Sequence, residues 1–403
     1  MMGPLALAGP GWAGDPRRVR APVDEAMDPL ERAPRLVLWE TTKACPLACA
    51  HCRAVAEPDP APGELGTAEG VALIDELAGA RRPRPVLVLS GGDCLARADL
   101  LALLEHAQAV GVPVALAPAV TPRLTPALAA EVMARGVRHV SLSLDGATPS
   151  THDTIRRVPG HFAATVATVE MLVVAGLSVQ VNTVVMPANL AELAELAVRL
   201  HRLGVGVWEV FFLVAVGRGQ AMAEIGAEAA EDVCHLLVDV AERGLVVRTV
   251  EAPFYRRVQH ERALAAAAPP RSARHARLRR TVEAGMGPAV VPVRPPREGT
   301  RDGKGIVFVA HDGEVYPSGF LPRSLGNVRR AGLLPIYRDH PVLRAIRAGA
   351  FPGRCGACRH RDLCGGSRAR AYAATGDPLG DDPACVLAGP AGGGRAQAIQ
   401  DQR

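Results

Sequence analysis

Seven of the nine cysteines lie in two tight groups, and their spacing favours iron-sulfur or metal chemistry. The first group has the spacing CxxxCxxC and consists of Cys45, Cys49 and Cys52. Three thiolates in one short loop can hold three corners of a four-iron cubane and leave the fourth iron open to a small molecule. A zinc site and three incidental thiols are the alternatives for this group.

The second group lies near the C-terminus and contains four cysteines: Cys355, Cys358, Cys364 and Cys385. Four cysteine ligands complete the coordination of a cluster or a metal ion, so this site leaves no position for a cofactor. By spacing alone a structural zinc site competes with a second 4Fe-4S cluster, because CxxC pairs are common zinc ligands. The presence of the first group favours the cluster.

Two other segments place chemically useful groups just after predicted strands. Gly91, Gly92 and Asp93 form a turn in which backbone groups can approach a ligand closely, because glycine has no side chain. Ser143 ends another strand, and Arg156 follows a His-Asp pair and carries a guanidinium fork that matches a carboxylate. Taken alone, these features are also compatible with an ordinary turn and a surface salt bridge.

The CxxxCxxC loop after the first strand, the Gly-Gly-Asp turn and the SLDG...HD..R pattern together resemble the signature of the radical S-adenosylmethionine (SAM) superfamily. The resemblance covers residues 35–217. It implies that the open iron of a 4Fe-4S cluster binds the amino and carboxylate groups of SAM. It also implies that one electron cleaves SAM to methionine and a 5'-deoxyadenosyl radical, which takes a hydrogen atom from the substrate.

The resemblance also implies which residues form the site. Cys45, Cys49 and Cys52 are expected to hold the catalytic cluster, and His51 occupies the position that contacts the adenosyl group. Leu213 or Val214, at the end of the sixth strand, is expected to pack on the adenine. The implied SAM-binding set is His51, Gly91, Gly92, Asp93, Ser143, Arg156, Leu213 and Val214.

The C-terminal segment resembles the SPASM or twitch domains that hold auxiliary 4Fe-4S clusters. Relatives with two auxiliary clusters carry further cysteines, but here the corresponding positions are Ser318 and Arg368. This departure predicts one auxiliary cluster, held by the four C-terminal cysteines. Cys94, where the family most often has proline, and Cys234 are expected to be passive buried residues.

Short aliphatic runs alternate with amphipathic helical patterns along the chain. Such alternation predicts a parallel sheet whose carboxyl ends carry the catalytic groups. The expected fold class is α/β: a partial (βα)6 TIM-like barrel with a small C-terminal SPASM or twitch iron-sulfur domain. The six predicted strands are 36–40, 86–89, 112–116, 139–144, 178–185 and 208–214, and the helices are 68–78, 100–110, 127–135, 162–175, 190–203 and 227–243.

These patterns divide the chain into five parts. We expect Asn189 to cap the helix that begins at residue 190, and we expect the Pro- and Arg-rich stretch 269–301 to be a mobile basic insertion. A hairpin around His311 opens the C-terminal unit. The predicted parts are a loosely ordered leader (1–34), the radical SAM core (35–217), a helical linker with the insertion (218–304), the auxiliary-cluster domain (305–388) and a flexible tail (389–403).

Composition excludes several classes of protein. The net charge of +5 is too small and too dispersed to favour nucleic-acid binding. No apolar run reaches the roughly 20 residues of a membrane span, and the N-terminus makes a poor signal peptide. The clustered cysteines are also typical of a reducing compartment, so we expect a cytoplasmic enzyme without membrane partners.

The expected activity is that of a radical SAM oxidoreductase or maturase that acts on a tetrapyrrole-type substrate. A peptide maturase is the second candidate, and a non-enzymatic iron-sulfur or zinc protein is the candidate from another class. The basic stretch 271–280 is a candidate for meeting the propionates of a tetrapyrrole. The expected electron donor is a reductant such as flavodoxin or ferredoxin.

Overall fold

A mostly parallel sheet forms the centre of the fold. The computed structural model describes residues 28–265, 270–296 and 299–388. Its strands are β1 (Leu36–Glu40), β2 (Val86–Ser90), β3 (Val114–Leu116), β4 (His139–Ser143), β5 (Ser178–Val185), β6 (Val207–Phe212), β7 (Val246–Val250), β8 (Arg301–Asp302), β9 (Gly305–Val309), β10 (Glu314–Tyr316) and β11 (Gly326–Asn327). The strand order is β11-β10-β9-β1-β2-β3-β4-β5-β6-β7, with β8 beside β9. The predicted α/β fold class and the six predicted strands are confirmed.

The helices that follow the strands pack apolar stripes against the sheet. In α2, for example, Leu73, Ile74 and Leu77 are buried. The helices are α1 (Pro29–Arg32), α2 (Thr67–Ala78), α3 (Leu100–Val110), α4 (Pro126–Ala134), α5 (Pro149–Arg156), α6 (His161–Val174), α7 (Leu193–Arg202), α8 (Ala227–Ala241), α9 (Phe254–Leu264), α10 (Ala273–Met286), α11 (Val328–Ala331), α12 (Leu333–Asp339), α13 (Pro341–Arg347), α14 (Arg354–Ala357) and α15 (Arg368–Thr375).

Strand β5 shows how the sequence creates a cavity inside the sheet. Its side chains alternate between the two faces, as in any strand. Val179, Val181 and Thr183 are buried on the helix-covered face, whereas Gln180 and Asn182 line a cavity on the other face. Polar residues in an otherwise aliphatic strand therefore mark the interior of the partial barrel.

The sheet extends beyond the six predicted strands at both ends. Strand β7 pairs in parallel with β6, and β9 pairs in parallel with β1, with Leu36 opposite Ile306. The predicted hairpin around His311 is confirmed, since β9 and β10 are antiparallel neighbours. The sheet thus continues across the proposed boundary at residue 305, and the domain limits remain predictions.

The predicted mobile insertion is wrong for its central part, which forms helix α10 against α7 and α8. Leu278 and Val282 are buried at a helical spacing of four, a pattern that the surrounding arginines obscure in the sequence. Arg271 and Arg274 pair with Asp232 at 2.9 and 3.1 Å. Because α10 contributes no residue to the cavity, the structure does not support a propionate contact by this stretch.

Two other local expectations change. Residues 1–27 and 389–403 lie outside the described residues, but the part of the predicted leader that is described begins with helix α1, capped by Asp28. The side chain of Asn189 does not cap a helix, because it donates to the carbonyls of Asp145 and Val184 and accepts from Met186. Within the described ranges, no helix has both the length and the apolarity needed to cross a membrane.

Candidate active site

The three N-terminal cysteines lie in a loop between β1 and α2 that backbone hydrogen bonds hold in place. The Cys45 amide donates to the Glu57 carbonyl at 2.7 Å, and the Ala50 amide donates to the Ile155 carbonyl at 2.9 Å. Cys45 and Cys49 are buried, whereas Cys52 is partly exposed and lines the cavity. The loop therefore brings the three predicted cluster ligands to the carboxyl end of the sheet.

The Gly91-Gly92 turn supports this loop through direct backbone contact. The Gly92 amide donates to the Thr42 carbonyl at 2.8 Å, and the Asp93 amide donates to the Ala44 carbonyl at 2.7 Å. A Cβ atom at Gly92 would lie 2.3 Å from the Ala44 carbonyl oxygen, so only glycine fits. We expected these glycines to approach a ligand, but the structure shows them against the cysteine loop.

The Asp93 carboxylate turns into the protein instead of facing the cavity. It is fully buried and accepts hydrogen bonds from the Leu95 amide at 3.1 Å and the Thr121 hydroxyl at 3.1 Å. Burial raises the pKa of Asp93. The side chain of this predicted SAM-binding residue therefore orders the turn after β2.

Asp145 connects two predicted site residues beneath the cysteine loop. Its Oδ2 atom lies 2.6 Å from Arg156 Nη2 and 3.4 Å from His51 Nε2. Arg156 Nη1 also donates to Cys49 Sγ at 3.6 Å. Burial alone would raise the pKa of Asp145, but Arg156 and His51 hold it below its usual value. The carboxylate is therefore ionised and fixes both partners.

Burial sets the protonation state of His51, because it lowers the pKa of this imidazole to about 4. The Nε2 atom of the neutral ring faces the Asp145 carboxylate at 3.4 Å, an arrangement that favours the tautomer with its proton on Nε2. Its Nδ1 atom is buried and has no hydrogen-bond partner in the described structure. Since His51 lines the cavity, Nδ1 can accept a hydrogen bond from a ligand there.

A pair of buried histidines supports Asp145 from behind. The Asp145 amide donates to His152 Nδ1 at 3.0 Å, so His152 carries its proton on Nε2. That atom lies 2.8 Å from His161 Nδ1, and His161 Nε2 lies 3.1 Å from the Val120 carbonyl. These contacts fix both imidazoles as single neutral tautomers.

The cavity occupies the interior of the partial barrel and has a volume of about 510 Å³. Four predicted site residues line it, namely His51, Cys52, Ser143 and Leu213. The backbone turn residues Gly91, Gly92 and Asp93 do not, and neither does Arg156. Val214 is also absent from the lining, because its side chain packs with Leu321 and Ala369.

Several polar cavity residues were not predicted from the sequence. Gln180 donates to Glu209 at 2.8 Å, and burial raises the pKa of Glu209. Arg248 lies opposite Glu209 in the register of β6 and β7, and Arg53 lies over the Phe308 ring at 4.4 Å. Polar residues at alternate strand positions were the signal that could have revealed part of this set.

The four C-terminal cysteines are partly buried, and three of their sulfurs accept an N-H hydrogen bond. The His360 amide donates to Cys358 Sγ at 3.4 Å, and the Gly366 amide donates to Cys364 Sγ at 3.5 Å. Burial raises the pKa of Cys364 to about 12. The free thiol is thus protonated at neutral pH, and a bound metal would have to displace the proton.

Comparison with known proteins decides the family. The profile of the Radical SAM superfamily matches residues 39–200. The AdoMet-dependent heme synthase of Methanosarcina barkeri is 34% identical over 89% of this chain and 97% of its own length. The chain belongs to the radical SAM superfamily. It is therefore an enzyme, and the non-enzymatic alternative is not supported.

Other radical SAM enzymes extend the comparison. The pre-heme d1 synthase of Dinoroseobacter shibae is 30% identical over 87% of this chain and 86% of its own length. The mycofactocin maturase MftC of Mycobacterium tuberculosis is 31% identical over 91% of this chain and 87% of its own length. The relatives thus include heme and heme d1 synthases and a maturase.

Solved structures show the same fold. The SAM-bound SuiB of Streptococcus suis has a TM-score of 0.64 at 13% identity, covering 88% of this chain and 77% of its own. The SAM-bound anSMEcpe has a TM-score of 0.62 at 15% identity, covering 87% of this chain and 93% of its own. At this level of identity the two comparisons show that the chain shares the fold of these SAM-bound proteins.

The donor set of this radical SAM enzyme fits iron-sulfur clusters. Five of the seven grouped cysteine sulfurs accept an N-H hydrogen bond, a contact that stabilises thiolates and tunes cluster potentials. Among the described residues, no three His, Cys, Asp or Glu side chains are close enough to hold a single metal ion. Thiolates around a cubane bind different irons and are spaced more widely than those around one zinc ion.

Proposed function

We propose that this enzyme oxidises or removes carboxylate-bearing side chains of a tetrapyrrole. The observation that carries the proposal is the amphipathic cavity inside the barrel. Leu38, Val86 and Val88 give it an apolar wall, while Arg53 and Arg248 place cations along its lining. A tetrapyrrole combines a flat apolar ring with carboxylates at its edge, so both parts of the cavity would be used. The heme and heme d1 synthases among the relatives support the same substrate class.

We assign the catalytic cluster to Cys45, Cys49 and Cys52 and the auxiliary cluster to Cys355, Cys358, Cys364 and Cys385. When bound, the catalytic cluster and SAM supply the 5'-deoxyadenosyl radical that abstracts hydrogen. Ser143 and Leu213 line the space next to the cysteine loop and would contact SAM. His51 Nδ1 would accept a hydrogen bond from the adenosyl group. Arg156, fixed by Asp145, would hold the loop and its cluster.

The two cavity cations would orient the substrate. Arg53 pairs with Glu40 at 3.3 Å, whereas Arg248 lies opposite Glu209 in the strand register and attracts that carboxyl group electrostatically. A guanidinium binds a carboxylate with two parallel hydrogen bonds, which would fix the side chain that reacts. Burial raises the pKa of Glu209, and this carboxyl group, which accepts from Gln180, would be a further polar contact for the substrate.

The chemistry requires an electron acceptor as well as a radical. Loss of a propionate carboxyl as carbon dioxide gives a vinyl group only if one hydrogen atom and one electron also leave. The four-cysteine site, being closed to substrate, is a suitable place for that electron. A reductant such as flavodoxin or ferredoxin would supply the electron for SAM cleavage.

The test is anaerobic turnover with Fe-coproporphyrin III, SAM and dithionite, followed by mass spectrometry of the tetrapyrrole. We expect 5'-deoxyadenosine to form in proportion to the loss of carbon dioxide and two hydrogen atoms per modified side chain. Cleavage of SAM that is unaffected by the tetrapyrrole, with the tetrapyrrole unchanged, would refute this substrate class.

Variants of the cavity cations make the test specific. Arg248→Met should raise the KM for the tetrapyrrole about tenfold or more, because an arginine-carboxylate contact contributes about 1.5–3 kcal/mol. SAM cleavage without substrate should be unchanged. The matched control is Arg202→Met, which removes an exposed arginine of α7 that is not part of the cavity lining.

Peptide maturation is the second candidate, because the mycofactocin maturase relatives cover 91% of the chain and SuiB has been seen with its precursor peptide. The same assay distinguishes the two. Coupling of 5'-deoxyadenosine formation to a short peptide encoded beside this gene, with no response to the tetrapyrrole, would favour the maturase.

A further inference from the structure

Arg368 is a buried cation in the auxiliary segment that forms no close ion pair with a carboxylate among the described residues. It begins helix α15, and its side chain is 1% exposed. Its Nε and Nη1 atoms donate to the carbonyls of Gly366 and Gly380 at 3.2 and 2.7 Å. Its Cζ atom lies 4.4 Å from the Phe351 ring centroid. Each of these partners is neutral.

Arg368 Nη1 also donates to the Pro378 carbonyl at 3.2 Å, and the third nitrogen contacts a cysteine sulfur. Arg368 Nη2 donates to Cys355 Sγ over 3.7 Å. Gly366 allows the approach, because a Cβ atom there would lie 2.5 Å from Nη2 and 3.0 Å from the sulfur. The backbone is therefore shaped to let this cation reach Cys355.

The nearby carboxylates form no ion pair with Arg368. Arg370, two residues away and also buried, pairs with Glu224 at 3.1 Å and Asp382 at 3.4 Å. The buried Glu251 carboxyl accepts from the Ser367 hydroxyl at 2.5 Å and pairs with the Asp302 carboxyl, and burial raises the pKa of both groups. Arg368 attracts Asp302 electrostatically, but among the described residues no carboxylate lies within ion-pair distance of its guanidinium.

A buried guanidinium without a close ion pair is costly, and Cys355 is the group in direct contact with it that can carry negative charge. We infer that Arg368 is the electrostatic partner of the auxiliary cluster and raises the reduction potential of that cluster. The inference rests on the ligand set proposed above. A four-iron cluster with four thiolates carries net negative charge, and reduction adds one more, so a fixed cation favours the reduced state. The cluster is thereby adapted to accept an electron.

The test uses the full chain with Cys45, Cys49 and Cys52 changed to Ala, so that only the auxiliary cluster is loaded. Its midpoint potential is measured by anaerobic redox titration with electron paramagnetic resonance. Arg368→Gln and Arg368→Met should lower the potential so that the ratio of reduced to oxidised cluster falls at least tenfold, which is about 59 mV for one electron. Arg368→Lys, which keeps the charge, should restore most of the potential.

The matched control is Arg354→Met, which removes the same charge beside Cys355 in sequence. The Arg354 side chain is 60% exposed, so water screens it, and the potential should stay close to that of the parent. Equal shifts in the Arg354 and Arg368 variants, or an unchanged potential in Arg368→Gln with full iron content, would overturn the inference. If Arg368→Met loses iron, the midpoint potentials of Arg368→Gln and Arg368→Lys decide whether the inference holds.

This experiment separates the inference from the proposals on which it depends. If the variant with Cys45, Cys49 and Cys52 changed to Ala binds zinc and no iron, the C-terminal cysteines do not hold an iron-sulfur cluster. The inference about Arg368 is then refuted. The tetrapyrrole assay uses the parent enzyme and is read from substrate mass, so its result is obtained without the Arg368 variants or the redox titration. If the auxiliary cluster is intact and its midpoint potential falls in Arg368→Gln but not in Arg368→Lys, the inference is supported even when the substrate is a peptide.

Discussion

Arg156 lies between Asp145 and Cys49, with its Nη2 atom 2.6 Å from the carboxylate and its Nη1 atom 3.6 Å from the sulfur. The Asp145 side chain is fully buried and that of Arg156 is 11% exposed, so water screens neither charge. The ion pair thereby couples the turn after β4 to the cysteine loop.

Removal of one partner of this pair should be strongly destabilising. Arg156→Met leaves Asp145 buried without its main counter-charge, and we expect the free energy of unfolding to fall by about 3–5 kcal/mol. Asp145→Asn with Arg156→Met together should cost less than the sum of the single changes, by about 1–3 kcal/mol. Anaerobic urea denaturation gives these values. The exposed pair Arg135 and Glu131, at 4.0 Å, is the control and should show a coupling of about 0.2–1 kcal/mol.

Gly92 should not tolerate a side chain. In Gly92→Ala the added Cβ meets the Ala44 carbonyl at 2.3 Å and the Lys43 carbonyl at 2.6 Å, so the cysteine loop must shift. We expect lower iron content after reconstitution and a loss of about 1–3 kcal/mol in stability. Gly206→Ala is the control, because its Cβ would lie 3.6 Å from its nearest neighbours. Normal iron content in Gly92→Ala would show that the turn does not support the loop.

Arg218 should slow the release of iron from the catalytic site. Its Nε atom donates to the Cys49 carbonyl at 3.0 Å, and Nη1 donates to the Ala56 carbonyl at 3.1 Å, so one side chain ties two parts of the loop. Arg218→Met should increase the rate of anaerobic iron transfer to a chelator about tenfold, which corresponds to about 1.4 kcal/mol. Arg248→Met, which does not contact the loop, should release iron at the parental rate. Equal rates in the two variants would contradict this role.

His152 should make stability depend on pH below neutrality. Burial lowers its pKa to about 4 from the ordinary value of 6.5. Between these values the unfolded chain binds more protons than the folded chain, so stability rises with pH and is lost as the pH falls from 6.5 towards 4. The full contribution of one such histidine is about 3 kcal/mol.

The variant His152→Asn isolates this contribution, because its side-chain oxygen can accept from the Asp145 amide without titrating. Urea midpoints measured from pH 7 to pH 4.5 should show a shallower fall than in the parent, which also contains the buried His51 and His235 with pKa values lowered to about 4. The exposed His139→Asn serves as the control. If the urea midpoint of His152→Asn falls with pH as steeply as that of the parent, His152 does not cause the pH dependence of stability.

Local sequence patterns were sufficient for the parallel sheet and the cysteine loop. The strands β1 and β5 were predicted with the bounds that the structure has, since each is a short aliphatic run between turn residues. Helix α10 was missed because only Leu278 and Val282 mark its buried face among many arginines. Strand β7 was missed because it lies at the sheet edge and none of its residues is fully buried.

The sequence by itself determined the chemistry of this protein, because CxxxCxxC and the C-terminal cysteines depend only on residue type and spacing. The tertiary structure alone decided which side chains face each other. Asp145 and Arg248 had no assigned role until the fold placed them beside Arg156 and Glu209. Asp93 and Val214 turned away from the cavity, because the direction of a side chain at a strand end depends on packing against distant residues. Spacing along the chain cannot encode that direction.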